Sequence, residues 1–329
     1  MRLNTFNKDL KFVKSDWTGN KLNDKGLYTN LYGDDIKSFG DVWRWMRGAK
    51  PLAKLKRNQQ SPLHWEAIEA IDDKSQHAII PIGHASFIID TNRLRLLIDP
   101  VVAPNRFMKR YTKVPFHIPE LTNVDYLLLS HNHRDHIDKS SVIQICKYNP
   151  NAIILTGLEI GRILKGWGIR NQIQEAGWYQ QFKTSDNLAI DYLPSQHWSR
   201  RWLNDTNIQL WGSFMIQDKV TNKTIYFAGD SGYGQHFSDI GNDYSIDIAM
   251  IGIGAYEPRW FMSSAHTGPS DALKAFQDLK AKQWIPMHYG TFDLSDEPVY
   301  YPEKILREQH PEALEQIKWM DIGKRIVVQ

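Results

Sequence analysis

Three histidines and an aspartate lie within six residues of this chain, in the run His131-Asn132-His133-Arg134-Asp135-His136. Imidazole and carboxylate groups are the usual protein ligands for zinc, and also for manganese or iron. His131 and His133 are two positions apart, so in an extended loop they point to the same side. Asp135 and His136 then point toward a neighbouring position. One short loop can therefore supply ligands to two metal ions.

Three more candidate ligands follow apolar runs that predict strands. His197 comes after the run 188–194, Asp230 after 224–228, and His288 after 284–287. Each of these residues alone would more often be structural. Together with the loop they complete a set of seven candidate ligands placed where chain segments leave a sheet. The sequence therefore predicts a binuclear metal site at the ends of several strands.

The elements that must position these residues are short strands that alternate with helices from Ala78 onward. Ser140 or Ser141 is the predicted N-cap of a helix after the histidine-rich loop, and a second helix is predicted over 269–282. The predicted strands cover 78–82, 86–90, 94–99, 124–129, 152–156, 188–194, 213–217, 224–228, 246–253 and 284–287. This alternation, without any internal repeat, predicts a layered α/β sandwich.

The first 75 residues differ from the rest, since they are polar, aromatic and poor in strand patterns. We predict an N-terminal extension over 1–75 that packs on a main domain over 76–329. Val42, Trp43, Trp45 and Met46 are predicted to form one face of a short helix. The segment 44–57 around this helix carries six basic residues and no acidic one, which would suit an anionic membrane surface.

Composition excludes several other classes of protein. The chain has 329 residues and one cysteine, which rules out an internal disulfide framework and a cysteine-rich metal site. No run approaches 18 apolar residues, and the N-terminus lacks the apolar core of a signal peptide. The 40 basic and 37 acidic side chains give a net charge of +3, which is too balanced to indicate nucleic-acid binding. We expect a cytoplasmic protein, associated at most with the surface of a membrane.

The ordered set of motifs resembles the metallo-β-lactamase superfamily, which implies an α+β fold, a four-layer αβ/βα sandwich with a binuclear site between two sheets. Within it, the chain is similar to the N-acylphosphatidylethanolamine-hydrolysing phospholipase D family over roughly residues 79–294. The motifs that carry this similarity are Gly83-His84-Ala85-Ser86, Ser130-His131-Asn132-His133 with Asp135-His136, Ser195-Gln196-His197-Trp198, Leu210-Trp211-Gly212-Ser213, Phe227-Ala228-Gly229-Asp230-Ser231-Gly232-Tyr233, Ile253-Gly254-Ala255-Tyr256-Glu257-Pro258-Arg259-Trp260-Phe261-Met262 and His288-Tyr289-Gly290-Thr291-Phe292.

The resemblance implies two Zn²⁺ ions, for which Mn²⁺ or iron could substitute. The implied ligands are His131, His133 and His197 for one ion, Asp135, His136 and His288 for the other, and Asp230 as a bridge between the two. His266 is implied to orient the substrate or handle protons, although the following Thr267-Gly268-Pro269 departs from the family pattern. His84 is expected to orient a ligand by a hydrogen bond.

The activity that the resemblance implies is attack of a metal-bridging hydroxide on phosphorus, which yields phosphatidic acid and an N-acylethanolamine. The partners that we consider are a phospholipid substrate, a peripheral membrane surface and, in a homodimer, a second copy of the chain. No nucleic acid is expected. The residues predicted to line the acyl groove are Trp198, Tyr256, Trp260, Phe261 and Met262.

Other functions stay open at this stage. The same metal site attacks carbonyl carbon as readily as phosphorus, so a lactone, a β-lactam or a non-lipid phosphodiester is an alternative substrate. A nuclease of the same superfamily would need a strongly basic surface, which the net charge of +3 disfavours. A protein that binds metal or lipid without catalysis is the remaining class. A long apolar groove with a membrane-facing mouth would favour the lipid substrate.

Overall fold

The computed structural model describes residues 4–34, 37–69, 71, 74–91, 93–104 and 108–328. The strands are β1 (Asn4–Thr5), β2 (Lys11–Phe12), β3 (Asn20–Lys21), β4 (Ala78–Gly83), β5 (Ser86–Thr91), β6 (Leu94–Ile98), β7 (Tyr126–Leu129), β8 (Ile153–Gly157), β9 (Ile173–Ala176), β10 (Gln180–Gln181), β11 (Leu188–Leu193), β12 (Ser213–Asp218), β13 (Lys223–Phe227), β14 (Ile248–Gly252), β15 (Gln283–Met287) and β16 (Ile326–Val327). The helices are α1 (Phe39–Arg47), α2 (Ala53–Lys56), α3 (Lys139–Tyr148), α4 (Ile160–Gly166), α5 (His236–Asp243), α6 (Arg259–Met262), α7 (Pro269–Asp278) and α8 (Tyr301–Gln309), with 3₁₀ turns at Ile118–Glu120 and Pro311–Gln316.

Two mixed seven-stranded sheets form the centre of the molecule. The first has the order β16-β4-β5-β6-β7-β8-β9, in which β6 to β9 run parallel and the other neighbours are antiparallel. The second has the order β15-β14-β13-β12-β11-β10-β2, in which β13 to β15 run parallel. β1 and β3 form a separate small sheet.

The two sheets pack face to face through large apolar side chains. Phe87 on β5 meets Phe227 on β13 edge to face, with ring centroids 6.4 Å apart. On the other face of the first sheet, Ile80 and Ile88 are buried with Val142 of α3 in a second apolar cluster. The central strands are therefore apolar on both faces, which explains their continuous hydrophobic runs. With α5 and α7 on the second sheet, this arrangement confirms the predicted four-layer αβ/βα sandwich.

The helix after the histidine-rich loop begins two or three residues earlier than the sequence predicted. Asp138 has extended backbone and is the N-cap, and its carboxylate accepts the Ser141 backbone N–H at 2.8 Å. The Ser141 hydroxyl also donates to Asp138, at 2.7 Å. The prediction of Ser140 or Ser141 as the cap was therefore wrong, because the carboxylate two or three positions earlier satisfies the free N–H groups.

The N-terminal residues join the main sandwich directly. β2 pairs with β10 and so adds an edge strand to the second sheet. Helix α1 does form, but its apolar residues do not share one face as predicted. Val42 and Trp45 are half-buried, whereas Trp43 and Met46 are 48% and 65% exposed. Trp43 and Trp45 are two positions apart, about 200° around a helix of 3.6 residues per turn. The boundary after residue 75 stays a prediction.

The ten predicted strands are all present, with ends shifted by one or two residues. Strands such as β9, β10 and β16 were missed because they are short and lie at or near sheet edges, where the apolar pattern is weak. Within the described part of the chain, each helix falls short of the length and apolarity that a bilayer crossing needs.

A substitution at Gly241 on α5 tests how closely α5 packs against the end of α7. A Cβ atom at this position would lie 2.7 Å from the Leu279 Cα atom and closer still to the Asp278 carbonyl oxygen. Gly241→Ala should therefore lower the free energy of unfolding by about 1–3 kcal/mol through overpacking. Gly166→Ala on α4 is the control, since a Cβ there meets nothing within 4 Å, and it should be neutral or slightly stabilising. Urea unfolding measures both variants, and equal stability of the two would contradict this account.

Candidate metal centre

All seven candidate ligands converge where chain segments leave the two sheets. The loop 131–136 connects β7 to α3, and its residues come from the first sheet. His197, Asp230 and His288 follow β11, β13 and β15 of the second sheet. Because the sheets face each other, the two groups of loops meet at one end of the sandwich. The structure thus brings together residues that lie up to about half the chain apart.

Four residues form the first cluster, namely His131, His133, His197 and Asp230. His133 Nδ1 lies 3.0 Å from His131 Nε2 and 3.1 Å from His197 Nε2. Asp230 Oδ2 lies 3.8 Å from His131 Nε2 and 3.9 Å from His197 Nε2. Ligand atoms about 2.0–2.1 Å from a tetrahedral zinc are about 3.3 Å apart, so these four atoms suit one such ion.

The second cluster contains His84, Asp135, His136 and His288. Asp135 Oδ2 lies 3.6 Å from His136 Nε2 and 3.5 Å from His288 Nε2. Asp230 also reaches this cluster, with Oδ2 3.1 Å from His136 Nε2 and Oδ1 3.1 Å from His288 Nε2. Asp230 therefore lies between the two clusters, where a bridging ligand is needed.

Several polar atoms at this centre are buried without a hydrogen-bond partner among the described residues. They include Nε2 of His136, Nε2 of His288 and Oδ2 of Asp230. A buried polar group without a partner is costly, and so is rarely left in a stable protein. The donor set of imidazoles and carboxylates is the one that zinc, manganese and iron accept. The residues present therefore fit a pair of metal ions.

Burial keeps most of the imidazoles neutral, as metal ligands must be. It lowers the pKa of His131 and of His197 well below the usual value, and lowers that of His133 to about 4. His136 and His288 differ: burial lowers the pKa of each, but the Asp230 and Asp135 carboxylates together outweigh this, so that the pKa of His136 lies well above its usual value and that of His288 is raised to about 9. Likewise, burial raises the pKa of Asp230, but His136 and His288 hold it well below its usual range. Burial also raises the pKa of Asp135, but contacts with His136, His288 and His84 hold it well below its usual range, so both carboxylates keep the negative charge that suits a metal ligand.

The second ring nitrogens of the candidate ligands are held by fixed partners. Asp99 Oδ2 lies 2.8 Å from His136 Nδ1, and Asp99 Oδ1 accepts the Ser130 backbone N–H at 2.8 Å. His197 Nδ1 lies 2.9 Å from the Ala265 carbonyl oxygen. Such partners fix the ring orientation and leave the other nitrogen for a metal. Sequence reasoning missed Asp99, although an aspartate at the end of a predicted strand, before Pro100, was a usable signal.

His84, which was expected to orient a ligand by a hydrogen bond, lies against the candidate ligand Asp135. Its Nε2 is 3.1 Å from Asp135 Oδ2, and burial lowers its pKa to about 3, so the ring is neutral. The backbone of His84 has a positive φ of 58°, and its carbonyl accepts the His288 N–H at 3.0 Å. His84 therefore connects a ligand from each of the two sheets.

His266 lies between the centre and a cavity. Its Nδ1 is 3.7 Å from Asp230 Oδ2, and its side chain is 14% exposed. Burial lowers its pKa to about 4, so the imidazole is neutral at pH 7.

The cavity beside the centre has a volume of about 390 Å³ and reaches His197 and His266. Its remaining lining residues are Asn30, Lys37, Val42, Trp45, Trp198, Arg200, Thr206, Phe261, Met262, Ser264, Ala265 and Leu294. Three of the five predicted groove residues are among them. The other two lie elsewhere: Trp260 is 42% exposed beneath the Arg44 guanidinium, and Tyr256 is buried against Gly268. Sequence reasoning missed the lining residues from the N-terminal segment.

The chain matches the model of one protein family and is similar to several known proteins. The model of the β-lactamase superfamily domain matches residues 94–289. N-acyl-phosphatidylethanolamine-hydrolyzing phospholipase D 1 of Caenorhabditis elegans is 30% identical over 285 residues, which are 82% of this chain and 79% of that protein. The mitochondrial N-acyl-phosphatidylethanolamine-hydrolyzing phospholipase D of Saccharomyces cerevisiae is 32% identical over 227 residues, 65% of this chain and 48% of that protein.

Among solved structures, Igni18 from the archaeon Ignicoccus hospitalis, described as a novel metallo hydrolase, aligns with a TM-score of 0.61. The sequence identity is 21%, and the alignment covers 77% of this chain and 98% of the other. At this identity the likeness shows the shared fold.

Asp99 allows a test of the centre by metal binding. Asp99→Asn removes the charge that faces His136 Nδ1, so the affinity for one of two Zn²⁺ ions should fall about 10- to 100-fold. Asp191→Asn is a matched control, because Asp191 is also a buried aspartate with side-chain donors, from Gln181, Gln217 and Tyr244. Calorimetric Zn²⁺ titration of the metal-free proteins measures the change. Wild-type affinity in a folded Asp99→Asn protein would exclude the assigned role.

Proposed function

The chain belongs to the metallo-β-lactamase superfamily and is a metal-dependent hydrolase, and on this basis we propose that it is a binuclear zinc phosphodiesterase of phospholipase D type. The proposed substrate is N-acylphosphatidylethanolamine or a related phospholipid, and the products are an N-acylethanolamine and phosphatidic acid. The predicted resemblance to this family is confirmed. The observation that carries the proposal is a double cluster of ligands, joined at Asp230, that opens onto a largely apolar cavity.

The proposed ligands follow the two clusters. One ion is assigned to His131, His133 and His197, the other to Asp135, His136 and His288, and Asp230 to both. Two adjacent cations of this kind lower the pKa of a shared water to near neutrality and neutralise a phosphate oxygen.

His266 is the proposed catalytic residue at the cavity side of the centre. Its Nδ1 faces Asp230, which leaves the opposite side of the ring toward the cavity. A neutral imidazole carries one N–H, which can donate to a phosphate or leaving-group oxygen. We assign to His266 the orientation of the phosphate and the stabilisation of the departing alkoxide.

The cavity supports a substrate with an apolar tail. Trp198, Phe261 and Met262 supply apolar surface next to the metal centre, while Lys37 and Arg200 supply positive charge at the same cavity. An anionic phosphodiester with a hydrocarbon chain complements both features. The volume of 390 Å³ is near the lower end of the range of about 300–1,000 Å³ for small-molecule sites, so most of a three-chain lipid must stay outside.

We extend the proposal to a membrane surface as the partner that holds the rest of the lipid. Arg200 at the cavity is followed by Trp202 and Leu203, which are 63% and 89% exposed. On α1, Trp43 and Met46 are also exposed. Large apolar side chains beside basic ones are typical of surfaces that enter the interfacial region of a bilayer.

The decisive assay is incubation of zinc-loaded protein with N-acylphosphatidylethanolamine in mixed micelles, with products identified by mass spectrometry. Wild type should release N-acylethanolamine and phosphatidic acid. Asp230→Asn and His288→Ala should lose activity together with bound zinc, whereas His266→Ala should retain two zinc ions and lose about 10²–10⁴-fold in kcat. His310→Ala, whose ring contacts Ser270 and Glu312, is the control histidine variant and should keep wild-type activity.

If the protein binds two equivalents of metal but does not hydrolyse N-acylphosphatidylethanolamine, the proposed lipid substrate is rejected. The family and the metal centre would be unaffected, and lactones and non-lipid phosphodiesters would be the next substrates to assay.

A further inference from the structure

The N-terminal segment, here residues 4–34 and 37–69, contributes to the site although it precedes the matched family region, which begins at residue 94. Asn30, Lys37, Val42 and Trp45 all line the cavity that reaches His197 and His266. Two features of this segment bear on the chemistry. The first concerns the substrate and rests on the proposed function; the second concerns a candidate metal ligand and stands without it.

Helix α1 presents two different surfaces. Its N-terminus is fixed by a capping box, in which Ser38 Oγ accepts the Asp41 N–H at 3.2 Å and Asp41 Oδ2 accepts the Ser38 N–H at 2.8 Å. Val42 and Trp45, three positions apart, lie toward the cavity. Trp43 lies on the other side of the helix, with the Arg47 guanidinium 4.0 Å from its ring centroid. A single helix therefore carries one cavity tryptophan and one surface tryptophan.

Trp45 is held in place by three contacts with other elements. Its ring stacks on Phe261 with a centroid separation of 5.0 Å and an interplanar angle of 16°. Its Nε1 donates to Asp296 Oδ2 at 3.2 Å, and the Lys50 ammonium lies 4.7 Å from the ring centroid while pairing with Asp296 at 2.9 Å. A large side chain fixed in this way forms a rigid wall, which can discriminate between bound groups.

We propose that Val42 and Trp45 form the wall that contacts the N-acyl chain of the phospholipid and makes the enzyme selective for long chains. The cavity is continuous with the metal centre through His197 and His266, so a group that occupies it is attached close to the scissile phosphate. Its 390 Å³ suits one chain better than two. The diacylglycerol part has two chains and stays in the lipid layer, which leaves the single N-acyl chain for the cavity.

The test compares N-palmitoyl and N-acetyl phosphatidylethanolamine in the same mixed micelles. Trp45→Ala should lower the ratio of kcat/KM for N-palmitoyl over N-acetyl substrate about tenfold, because the long chain loses its apolar wall. Trp43→Ala, the matched control on the same helix, should leave this ratio unchanged. Trp45→Phe retains a ring against Phe261 and should keep most of the preference, and thermal unfolding checks that each variant is folded.

An unchanged ratio in folded Trp45→Ala, or an equal fall in Trp43→Ala, would overturn the proposal. If wild type hydrolyses neither substrate, the proposed function fails, and the wall is then tested by equilibrium dialysis with radiolabelled N-palmitoylethanolamine. Binding about tenfold weaker in Trp45→Ala than in wild type would support the wall, and equal binding would reject it.

The second feature is the side chain of Asn30, which forms two hydrogen bonds with the backbone of the candidate metal ligand His197. Asn30 Nδ2 donates to the His197 carbonyl at 2.8 Å, and Asn30 Oδ1 accepts the His197 N–H at 3.1 Å. Asn30 Oδ1 also accepts the Trp211 indole N–H at 3.1 Å. One amide thus satisfies both backbone groups of His197, while Ala265 satisfies its Nδ1 atom.

We infer that Asn30 is a positioning residue that holds His197 Nε2 at the first metal cluster. His197 lies in an irregular segment four residues beyond the end of β11, so no strand ladder fixes its backbone. The two hydrogen bonds from Asn30 instead fix the backbone carbonyl and N–H of His197. Displacement of the His197 ring would weaken one of the two clusters and leave the other, which is formed by Asp135, His136 and His288, intact.

Zn²⁺ titration of the metal-free full-length protein tests this inference without reference to any substrate. Asn30→Ala should weaken one Zn²⁺ at least tenfold and leave the second within twofold of wild type. Asn30→Asp keeps the side-chain size but cannot donate to the His197 carbonyl, so it should show a similar loss if Asn30→Ala fails to fold. The absorption spectrum of the Co²⁺-substituted protein should change with the same variants.

The control is Asn7→Ala, because Asn7 also ties the N-terminal segment to the sandwich, by donating from Nδ2 to the Glu175 carbonyl at 2.8 Å. A purely structural role would make Asn7→Ala and Asn30→Ala alike in Zn²⁺ affinity. Wild-type affinity at both zinc sites in folded Asn30→Ala would refute the positioning role.

Discussion

Two carboxylates among imidazoles, the buried Asp230 and the partly exposed Asp135, lie at the meeting point of two sheets and are the constraint on which the rest of the structure depends. Asp135 and Asp230 keep their negative charge although water is largely excluded from Asp230. Burying an unbalanced charge is very costly, so the site needs cations in the middle of its ligand atoms. Hydrogen bonds around the centre hold the candidate ligand atoms facing each other. Asp99 contacts His136, the Ala265 carbonyl contacts His197, and His84 contacts Asp135.

Convergence of so many side chains forces the backbone to turn sharply where strands end. Three residues at the centre, His84, Asp99 and His288, have backbone φ values of 58°, 38° and 63°. Residues other than glycine rarely adopt this positive-φ region. Such conformations cost of order 1–3 kcal/mol each and persist only where the surroundings impose them. Here two hydrogen bonds hold these conformations in place. The His84 carbonyl accepts the His288 N–H, and the Asp99 carboxylate accepts the Ser130 N–H. Positive φ values also occur elsewhere in the described residues, for example at Asn222 and Lys280, but at the centre they belong to residues that hold or contact the candidate ligands.

The cavity and the centre are joint products of distant parts of the chain. The second sheet supplies His197, the short helix α6 supplies Phe261 and Met262, and α1 supplies Val42 and Trp45. α1 is in turn tied to the segment after His288, because Trp45 Nε1 donates a hydrogen bond to Asp296 Oδ2. A change at Val42 or Trp45 on α1 therefore acts on the cavity side of the site, whereas a change at Asn30 or in the loop 131–136 acts on the side of the candidate metal ligands. This division explains how one family of metal centres can be combined with different substrates.

The sequence alone determined the set of candidate ligands, the strands that carry it and the layered fold, because the signals involved are local. A histidine-rich loop after an apolar run, and an aspartate or histidine at the end of other runs, can be recognised from neighbouring residues. The predicted helix cap was wrong by only two or three positions, because Asp138 accepts the Ser141 N–H while the Ser141 hydroxyl accepts the N–H groups of Val102 and Ala103. The contacts that underlie the proposed roles of Asn30 and Trp45, and the two faces of α1, were decided by tertiary structure. Asn30 is 167 residues from His197, and a contact over that distance leaves no pattern in the residues around either partner.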